Sequence, residues 1–125
     1  MLASYLEALA ARPFDDGSTD CILTVADWVV LNGYPDPAAP YRGTYTSVLG
    51  RERLLRRHGG LVAVMEAGAA RSGLQRVRRA KRGDVGLIRS AGQELAAICL
   101  GRLWAAQGQG LVVARPQRVV RAWRV

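Results

Sequence analysis

The chain has 125 residues, of which 50% are hydrophobic and 22% are charged. This length and composition predict one domain with its own core and exclude a disordered polymer, a collagen-like repeat and a disulfide-rich scaffold. Eighteen cations, only one of them lysine, outweigh ten carboxylates to give a net charge of +8, and a single histidine and two cysteines leave few ligands for a metal, so we expect no metal site and no other cofactor.

The first predicted element is a short helix over residues 2–11, in which three leucines have helical spacing and which ends before Pro13. A loop of turn-forming residues follows at 14–19. The first segment lacks the basic start of a secretory signal and carries Glu7. The longest apolar run, residues 21–31, is about half the length of a membrane-spanning helix. We therefore expect no membrane insertion and a cytosolic site of synthesis, where both cysteines stay reduced.

The apolar run 21–31 is predicted to form the second helix. Its β-branched residues would also suit a strand, but the run is long for one. Asp20 or Thr19 can cap a helix at this point, and Asn32-Gly33 can end it. Because the run is apolar on nearly every side, we expect this helix in the middle of the fold.

Two further helices are predicted after a proline-rich loop over residues 35–45. Ser47 can cap a helix over residues 48–57, and Gly59 can end it. A fourth helix over residues 61–70 is expected to stop at Ser72-Gly73.

The remaining predicted elements are strands. Short apolar runs predict strands at residues 74–77, 85–88, 95–101 and 111–114, with turns at 83–84, 90–92 and 108–110. The end of the chain alternates apolar residues with arginines, which predicts an edge strand or an amphipathic tail. Helices followed by strands indicate an α+β fold in a single domain, with residues 1–73 mainly helical and residues 74–125 mainly strand.

The charge is unevenly distributed along the chain. Residues 1–41 hold six carboxylates and one arginine, a net of −5, whereas residues 42–125 hold seventeen cations and four carboxylates, a net of +13. This asymmetry indicates a nucleic-acid surface or a contact with an acidic partner in an assembly, and ordinary solvated surface is the alternative.

Three regions are candidate binding surfaces. The segment 71–82 holds six cations and can bind phosphates. The candidate phosphate contacts are Arg76, Arg78, Arg79 and Arg82. The favoured interpretation, however, is a solvated basic edge or one that faces an acidic neighbour. The proline-rich loop has the composition of an interface anchor through three residues, Tyr41, Arg42 and Tyr45. The alternative is a loop packed on its own domain. Trp123 is expected to pack on the core or on a partner.

Cys21 is the candidate nucleophile, because the start of a helix lowers the pKa of a thiol. Acyl transfer by a thiolate also needs a general base, and His58 is the only histidine. His58 follows a predicted helix, where a solvent-facing or capping role is the favoured interpretation. Cys99 lies in an apolar strand and is interpreted as a core residue.

An ordered set of short motifs carries a family resemblance. The set is Phe14-Asp15-Asp16-Gly17-Ser18-Thr19-Asp20-Cys21, then Ala26-Asp27-Trp28, then Gly83-Asp84-Val85-Gly86-Leu87-Ile88, then Ala97-Ile98-Cys99-Leu100-Gly101. In order and spacing it resembles the NlpC-type papain-like cell-wall peptidases, in particular their compact, phage-associated branch. The resemblance implies a papain-like fold in which an Asp-Cys pair opens the buried central helix and a Gly-Asp turn leads into the first main strand.

The chain departs from that family at the histidine. The resemblance places the catalytic histidine at Leu95, and it places a third, orienting residue near 104–107, where only Gln107 is polar. The resemblance therefore implies a vestigial site in which Cys21 lacks a general base.

The function expected from this resemblance is a non-catalytic structural or adaptor component of a phage or prophage-derived tail, near the tail tip. Its partners would be other tail or assembly proteins, with peptidoglycan as a further ligand, and its location the bacterial cytoplasm during synthesis and then the virion. One alternative is an active peptidase or amidase on peptidoglycan stem peptides, using Cys21 with His58 or with a residue from a partner chain. The other is nucleic-acid binding through residues 71–82, which the sequence disfavours.

Overall fold

The computed structural model describes residues 1–12, 20–108 and 110–125. Within them four helices precede six strands: α1 (Leu2–Ala10), α2 (Cys21–Leu31), α3 (Val48–Arg57), α4 (Leu61–Ser72), β1 (Gln75–Arg76), β2 (Val85–Ser90), β3 (Gln93–Cys99), β4 (Trp104–Gly108), β5 (Gly110–Ala114) and β6 (Arg118–Arg124). The α+β class is confirmed. The predicted loop at 14–19, the alternative cap Thr19 and residue 109 of a predicted turn lie outside the described residues.

The two predicted side-chain caps are present. One carboxylate oxygen of Asp20 accepts hydrogen bonds of 3.0 Å from the backbone N–H groups of Ile22 and Leu23, at the start of α2. The Ser47 hydroxyl accepts one of 3.0 Å from the backbone of Gly50 in α3. These bonds satisfy N–H groups that have no partner within the helix, so they fix where each helix begins.

The fourth helix is longer than predicted. Ser72 was expected to break α4 and is instead its last residue, because its hydroxyl donates a hydrogen bond of 2.7 Å to the carbonyl of Pro35. The bond ties the end of α4 to the proline-rich loop, and Ser72 is buried there.

The six strands form one antiparallel sheet in the order β1-β6-β2-β3-β4-β5. The prediction that the end of the chain is an edge strand or a tail is wrong, because β6 lies between β1 and β2. Trp123 pairs in register with both Arg76 and Val85. The residue pattern did not predict β4, in which two alanines give little strand signal, whereas the family resemblance placed residues 104–107 one strand after the 95–101 strand.

The core lies on both faces of the sheet. On one face, α1, α2 and α4 pack against strand residues that include Val85, Ile98 and Trp123. The opposite face holds a second cluster that includes Ile88 and Trp104. α2 is the central helix, with seven of its eleven residues buried, as its apolar sequence predicted. In the part of the chain that the structure describes, no helix combines the length and apolarity needed to cross a bilayer.

Candidate functional site

The most promising site is an open groove at the start of α2, with a volume of about 540 Å³. We call it the Cys21 groove. Residues of α2, α3, α4, β3 and β4 line it: Cys21, Ile22, Val48, Arg51, Glu52, Leu55, Leu61, Gln93, Glu94, Leu95, Gln107 and Gly108. Cys21 and Gln107, which the family resemblance assigned to one site, therefore line the same groove.

Asp20 positions Cys21. It is fully buried, and its second carboxylate oxygen accepts a hydrogen bond of 2.6 Å from the hydroxyl of Tyr45. Burial, and next the bond to Asp20, raise the pKa of Tyr45 well above its usual value, so this hydroxyl remains a donor at physiological pH. The proline-rich loop thus helps to hold the first turn of α2, and with it the thiol, in place.

The thiol of Cys21 is less acidic than an exposed cysteine. Burial raises its pKa, and the negative charge of Asp20 adds to that effect, whereas a hydrogen bond with the backbone of Ala96 and the charge of Arg51 act in the opposite direction. The expectation that the helix start lowers the pKa of this thiol is wrong, because desolvation of the thiolate outweighs the helix terminus. At neutral pH the group is a protonated thiol.

His58 does not line the Cys21 groove. It follows the last residue of α3 as its C-cap, where its backbone N–H bonds to the carbonyls of Leu54 and Leu55, and its ring packs edge-on against Tyr41 with 5.3 Å between centroids. Its side chain is exposed. The capping role expected from the sequence is confirmed, and the structure does not bring the predicted Cys21–His58 pair together in the groove.

Leu95, where the resemblance places the family histidine, is one of the groove residues and also contacts the second core cluster. The side chain of Leu95 packs with Ile88 on the sheet face that points away from α2. Because side chains alternate along a strand, the residues of β3 that face α2 in this region are Glu94 and Ala96. Glu94 is a groove residue that the sequence did not identify. Once Ile98 is placed beneath α2, the alternation of side chains along β3 puts Glu94 on the same face.

Gln107 is the most unusual residue of the groove. It is only 1% exposed, and among the described residues neither its side-chain nitrogen nor its side-chain oxygen has a hydrogen-bond partner. A buried amide without partners costs free energy, so such groups are rare in folded proteins. The amide is available to a ligand that brings both a donor and an acceptor.

The groove exists because two strands diverge. β3 pairs with β2 along six residue pairs, from Val85↔Ile98 to Ser90↔Gln93. It pairs with β4 at only two positions, Ile98↔Ala105 and Cys99↔Trp104. Beyond them β4 stays paired with β5, so the first part of β3 has no paired strand on that side within the described residues.

Comparison with known proteins identifies a family. The family model described as "Domain of unknown function (DUF6950)" matches residues 1–125. The chain belongs to this family. No curated protein and no solved structure matches it significantly.

The basic segment of this DUF6950 domain has several local contacts. Arg71 donates to the carbonyl of Pro37 and lies over the ring of Tyr41, so it fastens the proline-rich loop. Arg76 and Arg78 are exposed and line a groove of about 480 Å³. Arg71, Arg79, Lys81 and Arg82 are exposed as well, so all six cations of the segment are at the surface.

The proposed interface residues lie mainly inside the domain. Tyr41, Tyr45 and Trp123 are each at most 6% exposed, so their rings pack in the domain's own core. They were predicted as interface residues because aromatic side chains anchor partners, but burial removes them from the surface. For the two tyrosines, the alternative interpretation of a loop packed on its own domain describes what is observed, and for Trp123 the expected alternative of packing on the core does.

Arg42 neutralises part of the acidic first third of the chain. Its guanidinium lies 2.8 Å from the carboxylate of Asp27 and 2.6 Å from that of Asp36. Together with the buried Asp20, three of the four carboxylates that the structure describes in residues 1–41 are used within the domain. Within the described residues, no group of three or more histidine, cysteine or carboxylate side chains is arranged to hold a metal ion.

Proposed function

We propose that this DUF6950 domain is a non-catalytic relative of the NlpC-type papain-like peptidases, and that it serves as a structural or adaptor component of a phage or prophage-derived tail. The tail assignment, and its place near the tail tip, depend on the motif resemblance. The papain-like architecture is part of the proposal. It is supported by α2, which begins at an Asp-Cys pair and packs in the middle of the fold, and by the Gly83-Asp84 turn before β2.

The observation that carries the non-catalytic part is the environment of Cys21. A cysteine nucleophile needs a thiolate and a base that removes its proton. Burial raises the pKa of this thiol, and the chain's one histidine is exposed at the end of α3, outside the groove. The side chains that face Cys21 from β3 and β4 are those of Glu94, Ala96 and Gln107. An alanine side chain and an amide cannot remove a proton at neutral pH, and a carboxylate such as that of Glu94 is a much weaker base than an imidazole, which supports a site without acyl-transfer activity.

A cleavage assay tests the absence of catalysis. The purified chain and its Cys21→Ala variant are incubated with peptidoglycan stem peptides, and products are followed by mass spectrometry. We expect no cleavage by either protein. Cleavage by the wild type that disappears in Cys21→Ala, but not in Cys99→Ala, would establish the alternative of an active peptidase.

A particle analysis tests the adaptor role. We expect the chain to co-purify with intact tails at a fixed copy number, and its removal to give tails that lack the components assembled after it. Quantitative mass spectrometry of purified particles measures both. Complete, infective particles without this chain would refute the structural role.

Nucleic-acid binding is a second candidate, supported by the groove that Arg76, Arg78 and Arg121 line. Phosphate binding by these cations predicts an affinity that falls steeply with salt. The double variant Arg76→Glu/Arg78→Glu should then lose binding, whereas Arg53→Glu/Arg56→Glu, on exposed positions of α3, should retain most of it. Binding that is absent or independent of salt rejects this candidate.

A further inference from the structure

We propose that the Cys21 groove is a docking site for an extended polypeptide segment of a partner protein, which pairs with the open side of β3 and hydrogen-bonds the amide of Gln107. The inference rests on the proposed function, because it assigns the groove of a non-catalytic domain to holding a partner chain. Three properties of the groove support it.

The first property is the direction of the backbone groups of β3. The N–H and C=O of Cys99 bond to Asp84 and Gly83, on the β2 side of the strand. Successive residues of an antiparallel strand alternate in direction, so Ala96 and Glu94 direct their backbone groups to the opposite side, where β4 has diverged. The thiol of Cys21 lies beside the backbone of Ala96 on this side. Glu94 is the next position, and an added strand would pair with it.

The second property is the unpaired amide of Gln107. This side chain offers N–H donors and a carbonyl acceptor, and in the part of the chain that the structure describes none of them has a partner. A peptide group carries the complementary C=O and N–H. Main-chain groups of an extended segment can therefore satisfy both ends of the amide in one ligand. Gln107 is buried in the free chain, so binding of such a segment requires the side chains over the amide to move.

The third property is the charge of the lining. The charged lining residues are Arg51, Glu52 and Glu94, so the groove carries both signs and a formal net of −1, in a molecule of +8. A site for a polyanion would have an excess of cations. Val48, 55% exposed at the rim, and the neighbouring Leu55 and Leu61 offer apolar contacts for side chains of a neutral segment.

Titration of the isotopically labelled full chain with a capped hexapeptide of alternating valine and threonine, followed by NMR, tests the proposal. We expect saturable shifts of the side-chain NH₂ signals of Gln107 and of the backbone amide of Glu94. Gln107→Leu should weaken binding about tenfold, since it removes two hydrogen bonds. Gln75→Leu, at an exposed position of β1 outside the groove, should leave the affinity unchanged.

A second ligand keeps the test independent of the variant's folding. The same peptide with alternate N-methylated amides cannot donate its main-chain hydrogen bonds, and it should bind the wild type about tenfold more weakly. Equal binding of both peptides, shifts confined to the outer edge of β5 or the absence of saturable shifts would overturn the proposal. Shifts of the Gln107 signals by an oligonucleotide instead of the peptide would also overturn it.

Failure of this proposal and failure of the proposed function are distinguishable in the same sample. A peptide that binds the groove and is cleaved would refute the non-catalytic function while leaving the docking site established. An intact peptide that produces no saturable shift would leave the non-catalytic function standing and refute the docking site.

Discussion

The hydroxyl of Tyr45 donates a 2.6 Å hydrogen bond to the buried carboxylate of Asp20, twenty-five residues earlier in the chain. The same carboxylate caps α2, so one side chain connects the proline-rich loop, the central helix and the position of Cys21. Removal of this hydroxyl leaves a buried charge with one partner fewer.

We predict that Tyr45→Phe lowers the free energy of unfolding by about 2 kcal/mol, because a charged hydrogen-bond acceptor loses a donor. Urea denaturation measures the change. Tyr34→Phe is the matched control, since Tyr34 is a partly buried tyrosine whose hydroxyl has no hydrogen bond within the described part of the chain. Equal stability of Tyr45→Phe and the wild type would contradict the role given to this bond.

Asp84, in the turn before β2, has a comparable role. Its carboxylate is 2% exposed and accepts hydrogen bonds from the backbone of Lys81 and Val125 and from the guanidinium of Arg124. We predict that Asp84→Ala lowers the free energy of unfolding by about 3 kcal/mol, since three donors lose their acceptor. Glu66→Ala, which removes a half-exposed ion pair with Arg121, should cost less than 1 kcal/mol by the same measurement, roughly the value of a surface pair.

Gly86 is predicted to tolerate no side chain. A Cβ atom there would lie 2.5 Å from the carbonyl oxygen of Arg121 and 3.0 Å from the ring of Trp104. Arg121 belongs to the adjacent strand β6, and the Trp104 ring reaches over from β4, so Gly86→Ala should cost about 3 kcal/mol or more by forcing β2 and β6 apart. A thermal melt of this variant within about one degree of the wild type would show that the strands yield freely.

The β2–β3 hairpin offers a stabilising change. Ala91 and Gly92 form its two-residue turn with φ angles of 50° and 76°, and positive φ at both positions is typical of a type I′ turn. Asparagine adopts this conformation more readily than alanine. We expect Ala91→Asn to raise the free energy of unfolding by about 0.5 kcal/mol in urea denaturation, whereas Ala91→Val should lower it.

The thiol of Cys21 predicts a pH effect. Its pKa is raised in the folded state, so the folded protein retains a proton that the unfolded chain releases. This contribution to stability is complete below the pKa of an unfolded cysteine, about 8.5, and is lost as the pH rises above it. In a Cys99→Ala background, we therefore expect alkylation by iodoacetamide to reach half its maximal rate at a higher pH than free cysteine does. A midpoint below that of free cysteine would indicate an activated nucleophile.

The helices could be predicted because their signals are local. Asp20 and Ser47 cap α2 and α3 in the sequence as they do in the structure. The role of β6 could not be predicted in this way, since its arginines are typical of an exposed edge and its place between β1 and β2 depends on partners far away in the chain.

The sequence could predict which residue types belong to the site, but not which residues of β3 face it, because that depends on the strand register. Cys21 and Gln107 were placed in one site by motif order alone. A shift of one position separates Leu95 from Glu94, and that shift decides which side chain faces the thiol. The divergence of β3 and β4 leaves no local mark in the sequence, because both segments have ordinary strand composition.

The inner position of β6 constrains the order in which the molecule folds. The β2–β3 hairpin forms from neighbouring residues, but β1 and β2 are joined through a strand synthesised some thirty residues later. Contacts between distant parts of a chain form slowly, because a long loop must close first. Residues 118–124 must leave the ribosome before they can pair between β1 and β2. Until then the facing edges of β1 and β2 and the position that Trp123 fills are open to solvent. We therefore expect the nascent chain to be most prone to aggregation at this stage.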